Sequence, residues 1–129
     1  DNIYFLRSTA EDASAAQGIM HTFNMATGDF TATGNVTAYS DIRLKTEIEP
    51  IQDALSKIKA LVGITYKPQD SDKRNTGLIA QDVQKVLPEA VLEDKEGMLS
   101  IAYGNLAGLF VQAINELDQR LSAIEAKME

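Results

Sequence analysis

Seven apolar residues near the end of the chain recur at alternating spacings of three and four: Ala107, Phe110, Ile114, Leu117, Leu121, Ile124 and Met128. The alternation averages about 3.5 residues per turn and lays one apolar stripe along a helix. In heptad terms, Ala107, Ile114, Leu121 and Met128 occupy a, and Phe110, Leu117 and Ile124 occupy d. Arg120 falls at g and Glu125 at the following e, while Asp118 and Lys127 take the other e and g sites. That arrangement suits a parallel bundle of identical chains. Exposed charge pairs contribute about 0–1 kcal/mol each, so they orient the chains more than they hold them. With about three heptads, the stripe also fits a single helix packed on its own domain. The number of chains does not follow from it. Ile at a with Leu at d leans toward dimers, and the reverse order in the next heptad leans away from them.

The first part of the chain reads differently. Asn2-Ile3-Tyr4-Phe5-Leu6 is a short apolar run consistent with a buried strand, and Ala10 to Gly18 is small and polar with no clear period. Ile19–Phe23 and Asp29–Val36 read as short strands separated by turn signals at Gly28 and Gly34-Asn35. This part has few large side chains and would struggle to bury a core alone. It fits a segment of a longer, repetitive β structure that intertwines with sister chains, or a floppy extension.

From Glu49 onward the pattern is helical and compact. Pro50 suits the first turn of a helix, and Ile51, Leu55, Ile58 and Leu61/Val62 continue it at spacings of three and four until Gly63. Ile64–Lys67 reads as a strand stopped by Pro68, and residues 69–75 form a polar loop. Thr76–Ala80 reads as a short strand running into a helix over 81–87, which Pro88 breaks. Val91–Asp94 and Met98–Ile101 flank Lys95-Glu96-Gly97, a hairpin signal.

Bulk properties narrow the function classes. At 129 residues and 44% hydrophobic, the chain fits one ordinary domain or a small domain with an appendage. The net charge of −7 argues against nucleic acid, whose phosphates demand a basic face. Nothing approaches the run of about 18 apolar residues that crosses a membrane. Asp1 opens without a basic or hydrophobic region, so no secretion signal is expected. With no cysteine, disulfides and thiolate metal sites are excluded. A zinc site at the lone His21 is improbable for the same reason.

The two parts meet at Tyr39-Ser40-Asp41-Ile42-Arg43-Leu44-Lys45, where a hydroxyl is followed five residues later by an amine. Taken alone, Ser-Asp is a common turn or helix-capping pair. Three other patterns invite chemistry. Glu47/Glu49 and Asp82/Glu89 could pair as glycosidase carboxylates, but a solvated face is the simpler reading. Tyr66, Tyr103 and the methionines are expected in cores rather than around a cofactor. Gly77 opens no phosphate loop, because the further glycines and a following Lys-Ser/Thr are missing.

Together, Ser40–Lys45, the helix Ile51–Leu61, Gly77-Leu78-Ile79-Ala80-Gln81-Asp82-Val83, Leu87-Pro88-Glu89-Ala90-Val91 and Tyr103-Gly104-Asn105-Leu106 resemble the C-terminal intramolecular chaperone domain of bacteriophage tailspikes and tail fibres, also called peptidase S74. Members include endosialidase tailspikes and the L-shaped tail fibre of a coliphage, and a related domain occurs in a membrane-bound eukaryotic transcription factor. The resemblance covers Ser40 to about Met128. Many relatives carry a second basic residue after the lysine, where this chain has Thr46.

The resemblance implies an α+β chain. Residues 1–39 lie outside the resemblance and read as the short β-rich end of a fibre, and the chaperone domain is expected over residues 40–129. That domain would be a small mixed unit with a hairpin and a long C-terminal helix forming a coiled-coil-like bundle in a homotrimer. Three copies would meet along Phe110, Ile114, Leu117, Leu121, Ile124 and Met128, align the upstream fibre segment as client, and then cut themselves free. Carried over by position, Ser40 is the nucleophile and Lys45 its base, with the break between Tyr39 and Ser40. The implied setting is the host bacterial cytoplasm during virion assembly, with the mature fibre on the virion tail and the chaperone released. No cofactor, metal, nucleic acid or membrane is implied. The alternatives are a non-cleaving structural trimerisation or receptor-binding fibre tip, and the transcription-factor version, which the fibre-like residues 1–39 disfavour.

Cutting just before a serine has a geometric advantage, because Oγ reaches the preceding carbonyl carbon through a small cyclic transition state. Such tethering is worth on the order of 7–11 kcal/mol when alignment is ideal. The hydroxyl still needs a base, and a lysine serves only after losing its proton, which burial or a nearby cation promotes. Lys45 is therefore expected to be partly buried beside Ser40 in the trimer, with Arg43 as a possible neighbouring cation. A five-residue spacing puts two groups on different faces of a regular helix or strand, so a turn must bring them together.

Overall fold

The structure, a computed structural model of the chain, describes residues 2–8 and 16–129. The chain divides into two compact units, residues 1–46 and 47–129.

The first unit is an antiparallel sheet of β1 (Asn2–Ser8), β2 (Ala16–Asn24) and β3 (Phe30–Ala32), in that order. Phe5 lies opposite His21 and Ile3 opposite Phe23, with irregular register after Phe5 and Leu6. The β2–β3 turn is built locally. Asn24 Oδ1 accepts from the N–H groups of Ala26 (3.0 Å) and Thr27 (3.1 Å), and Gly28 takes the left-handed φ of 76° that closes it. His21 stacks on Phe30, which in turn tilts against Phe23.

The apolar run at residues 2–6 forms the expected strand. The Ile19–Phe23 strand begins earlier, at Ala16, so the end of the stretch without a period is strand; residues 10–15 of that stretch lie outside the described residues. The strand expected over Asp29–Val36 stops at Ala32. Gly34 sits in a bend, and residues 35–41 have no regular structure. The physical reason is lack of anything to pack on: no side chain described between residues 21 and 46 is buried.

The second unit contains α1 (Ala54–Lys59), β4 (Ile64–Tyr66), β5 (Asn75–Gly77), α2 (Ala80–Val86), β6 (Val91–Glu93), β7 (Leu99–Ile101) and α3 (Ala107–Met128). β4–β5 and β6–β7 are separate antiparallel pairs. In the second hairpin, Asp94 Oδ1 accepts from the N–H groups of Glu96 and Met98, both at 2.9 Å, and Gly97 supplies a φ of 83°. The architecture is thus mixed, with small hairpin sheets and one long C-terminal helix. The core consists of Ala54, Val83, Leu87, Ala90, Leu106, Leu109 and Ala113, flanked by Ile51, Ile58, Leu61, Leu78, Val86, Val91 and Ile101.

α1 starts four residues later than Pro50 suggests. Asp53 adopts a left-handed φ of 51° and makes no side-chain cap, so the helix cannot extend back through it. The missing cap comes from α3. Glu116 accepts from the N–H groups of Ala54 (Oε1, 2.8 Å) and Leu55 (Oε2, 2.7 Å), which satisfies two of the free donors at the helix start.

α3 spans 22 residues, about 33 Å at 1.5 Å per residue. Two rows run along it. Leu109, Ala113 and half-buried Glu116 face the core and α1. The heptad row is the next residue along at each step, a turn of about 100° around the axis. It stands in solvent on the single chain: Phe110, Ile114, Leu117, Leu121, Ile124 and Met128 are all exposed. The helix therefore packs on its own domain, but with a different row.

Tyr66, Tyr103 and the methionines with described side chains do not enter the core. Tyr66 and Tyr103 are exposed, as are Met25, Met98 and Met128. Met98 sits in the hairpin turn and Met128 ends α3, where no neighbouring element covers them. Tyr103 has a polar duty instead: its hydroxyl accepts from the Leu78 N–H at 3.1 Å.

Candidate active site

The segment joining sheet and helices runs extended through Asp41 (φ −64°, ψ 139°), makes one 3₁₀ turn over Ile42–Leu44, and is extended again at Lys45 (φ −121°, ψ 141°). Two backbone bonds close the turn, Leu44 N–H to the Asp41 carbonyl (3.0 Å) and Lys45 N–H to the Ile42 carbonyl (3.1 Å). Asp41 caps it, with Oδ1 accepting from the Arg43 N–H at 2.8 Å.

The turn reverses the effect of the five-residue spacing. Lys45 Nζ lies 2.9 Å from Ser40 Oγ and also donates to the Ser40 carbonyl. The amine is therefore within proton-transfer reach of the hydroxyl, as a general base requires. Both residues are exposed in the single chain, as is Tyr39, which is 95% accessible ahead of them.

Arg43 does not act as a free cation beside the lysine. Its guanidinium forks onto Asp41, with Nε to Oδ1 at 3.0 Å and Nη2 to Oδ2 at 2.9 Å. Pairing with the guanidinium, helped by the Arg43 backbone N–H, holds the Asp41 carboxyl below its ordinary range. The same pairing raises the Arg43 guanidinium above its own. Sequence reasoning marked Ser-Asp as a capping pair but missed that the Asp41 cap and the Arg43 fork share one carboxylate.

The other carboxylates are dispersed. Glu47, Glu49 and Glu89 line an open cleft of about 490 Å³ with Lys57 and Asn105, whereas Asp82 pairs with Lys85 at 3.1 Å. Among the described residues, no group of three or more His, Asp or Glu side chains could hold a metal ion.

The chain thus combines a β unit, a serine–lysine turn and a small α+β unit whose long helix leaves an apolar row exposed. Residues 40–92 match the family described as chaperone of endosialidase, Peptidase_S74. The chain therefore carries a domain of that family over residues 40–92. It is 33% identical over 120 residues to the long tail fiber protein Gp37 of Enterobacteria phage K3, covering 82% of this chain and 10% of that protein. Gp37 of Enterobacteria phage T2 is also 33% identical over 120 residues, with 82% and 9% covered. Myelin regulatory factor homolog 1 of Caenorhabditis elegans is 33% identical over 115 residues, with 79% and 12% covered. The chain spans about a tenth of the length of these curated relatives.

Proposed function

We propose that this chain is the C-terminal end of a phage tail fibre with its intramolecular chaperone. Residues 40–129 trimerise along the α3 seam, align the fibre segment 1–39, and then release themselves by cutting between Tyr39 and Ser40. Family membership and the Gp37 relatives support the tail-fibre chaperone role and a place for the fibre on the virion tail. The observation that carries the cutting is the 2.9 Å approach of Lys45 Nζ to Ser40 Oγ, inside the matched segment.

The reaction uses this chain's own groups and one water. Lys45, as the neutral amine, takes the Ser40 Oγ proton while Oγ attacks the Tyr39 carbonyl carbon. The C–N bond breaks as the lysine returns the proton to the Ser40 nitrogen, leaving an ester between the Tyr39 acyl group and Ser40 Oγ. Water then hydrolyses the ester. The products are the Tyr39 carboxylate and a Ser40 with a free amino group and its hydroxyl restored. A protonated Lys45 stalls the first step, so exclusion of water by neighbouring copies would act as a trigger.

Mass spectrometry of the purified chain tests this. Fragments 1–39 and 40–129, absent from Ser40→Ala and Lys45→Ala, are expected. An uncut chain of three-copy mass would instead favour a non-cleaving fibre tip. The exposure of both Ser40 and Lys45 on the single chain supports that second reading.

A further inference from the structure

We infer that Asp41 is the positioning residue of the self-cleaving site: its carboxylate holds the 3₁₀ turn Ile42–Leu44 closed and so delivers the Lys45 amine to the Ser40 hydroxyl. The inference rests on the self-cleavage reading and deepens it.

A single 3₁₀ turn is a weak structure, because its hydrogen-bond geometry is poor and one turn gains no cooperativity. This one also lacks help from packing. None of its residues is buried, and both Ile42 and Leu44 stand in solvent. If it opened, five extended residues would separate the Ser40 and Lys45 backbones by about 17 Å. A regular helix would fail too, since five steps rotate the two side chains about 140° apart.

What the turn does have is Asp41. One carboxylate accepts three hydrogen bonds, all from Arg43: the backbone N–H and Nε on Oδ1, and Nη2 on Oδ2. The backbone bond fixes the start of the turn. The fork ties the Arg43 side chain back over it, so opening the turn breaks all three together. Asp41 touches neither the hydroxyl nor the amine among its hydrogen bonds. It acts through the backbone that carries them.

The test uses the full chain in two arms. In a Ser40→Ala background, where no cutting can occur, a nuclear Overhauser contact between the residue-40 methyl and the Lys45 ε-methylene reports closure of the turn. It is expected in Ser40→Ala and in Ser40→Ala/Asp41→Asn, which keeps an oxygen for the Arg43 N–H, and lost in Ser40→Ala/Asp41→Ala. With Ser40 intact, Asp41→Ala is expected to slow cutting about tenfold while Asp41→Asn stays within about threefold of the parent, the scale of losing or keeping one helix cap. Persistence of the contact in the alanine variant overturns the inference, as does equal slowing by both substitutions. If the parent chain never cuts, the self-cleavage reading fails on the second arm. The first arm then decides separately whether Asp41 sets the approach of Lys45.

Discussion

Glu116 accepts a hydrogen bond from the backbone N–H of Ala54 at 2.8 Å, so the start of a six-residue helix is set by a side chain 62 positions further on. Its second oxygen takes the Leu55 N–H at 2.7 Å. Both donors would otherwise be unpaired at a partly buried helix end, where an unmet N–H is costly. Glu116→Ala is expected to destabilise the second unit by about 1–2 kcal/mol, the range for losing a helix cap. Glu116→Gln, which keeps one acceptor, loses about half as much. Thermal unfolding followed by circular dichroism checks both.

Gly77 and Tyr103 are matched in the same sense. A Cβ at residue 77 would lie 2.5 Å from the Tyr103 hydroxyl oxygen but a tolerable 3.6 Å from the ring carbon that bears it. Gly77→Ala therefore pushes the hydroxyl off the Leu78 N–H and is expected to cost about 1 kcal/mol, the net worth of one hydrogen bond. In a Tyr103→Phe background the same substitution has no oxygen to displace. A double-mutant cycle on thermal stability is expected to show that the second change adds little to the first.

The α3 seam is expected to hold three chains together, giving a particle of three times the 14.1 kDa chain mass. Leu117→Asp or Ile124→Asp puts a charge where apolar side chains would meet. Either is expected to reduce the particle to single chains in sedimentation or light scattering, with the helical signal of the second unit largely kept. Cutting is expected to be lost together with assembly in the same variants.

The Asp41–Arg43 pair sets a pH window for the turn. Pairing lowers the Asp41 pKa, so its contribution is present above the ordinary carboxylate range and is lost as pH falls through the lowered value. For Arg43 the pairing raises the pKa, so that contribution is present at ordinary pH and is lost only in strong alkali. The residue-40 to residue-45 contact in Ser40→Ala is therefore expected to be unchanged across neutral pH and, below about pH 4, to fall only to its strength in Ser40→Ala/Asp41→Asn, where residue 41 is likewise uncharged but keeps an acceptor oxygen. Nuclear magnetic resonance across that range checks it.

What could be read from the residues follows how far apart the partners lie. The β6–β7 hairpin was legible because Asp94 and Gly97 make its turn within five residues. The extent of α3 was legible because its apolar period repeats over the whole helix. Once the resemblance paired Ser40 with Lys45, their five-residue spacing called for a turn, and a 3₁₀ turn lies between them. The start of α1 was not legible, because Pro50 and Ile51 look helical locally while Glu116 places the first helical residue at Ala54. Arg43 looked like a free cation because nothing in the order Asp-Ile-Arg tells that both side chains fold onto one side of the turn. The overlong third strand has a different cause. Asp29–Val36 reads as a strand, but its mostly small side chains with no covering layer give an extended strand nothing to gain beyond Ala32.

The single-residue offset between the inward and outward rows of α3 separates two kinds of failure. Damage at Leu109 or Ala113 weakens each copy on its own, so it should appear on heating whatever the sample strength. On the proposed assembly, damage at Ile114 or Leu121 is expected to leave each copy sound and to surface on dilution, when copies meet too rarely to stay joined.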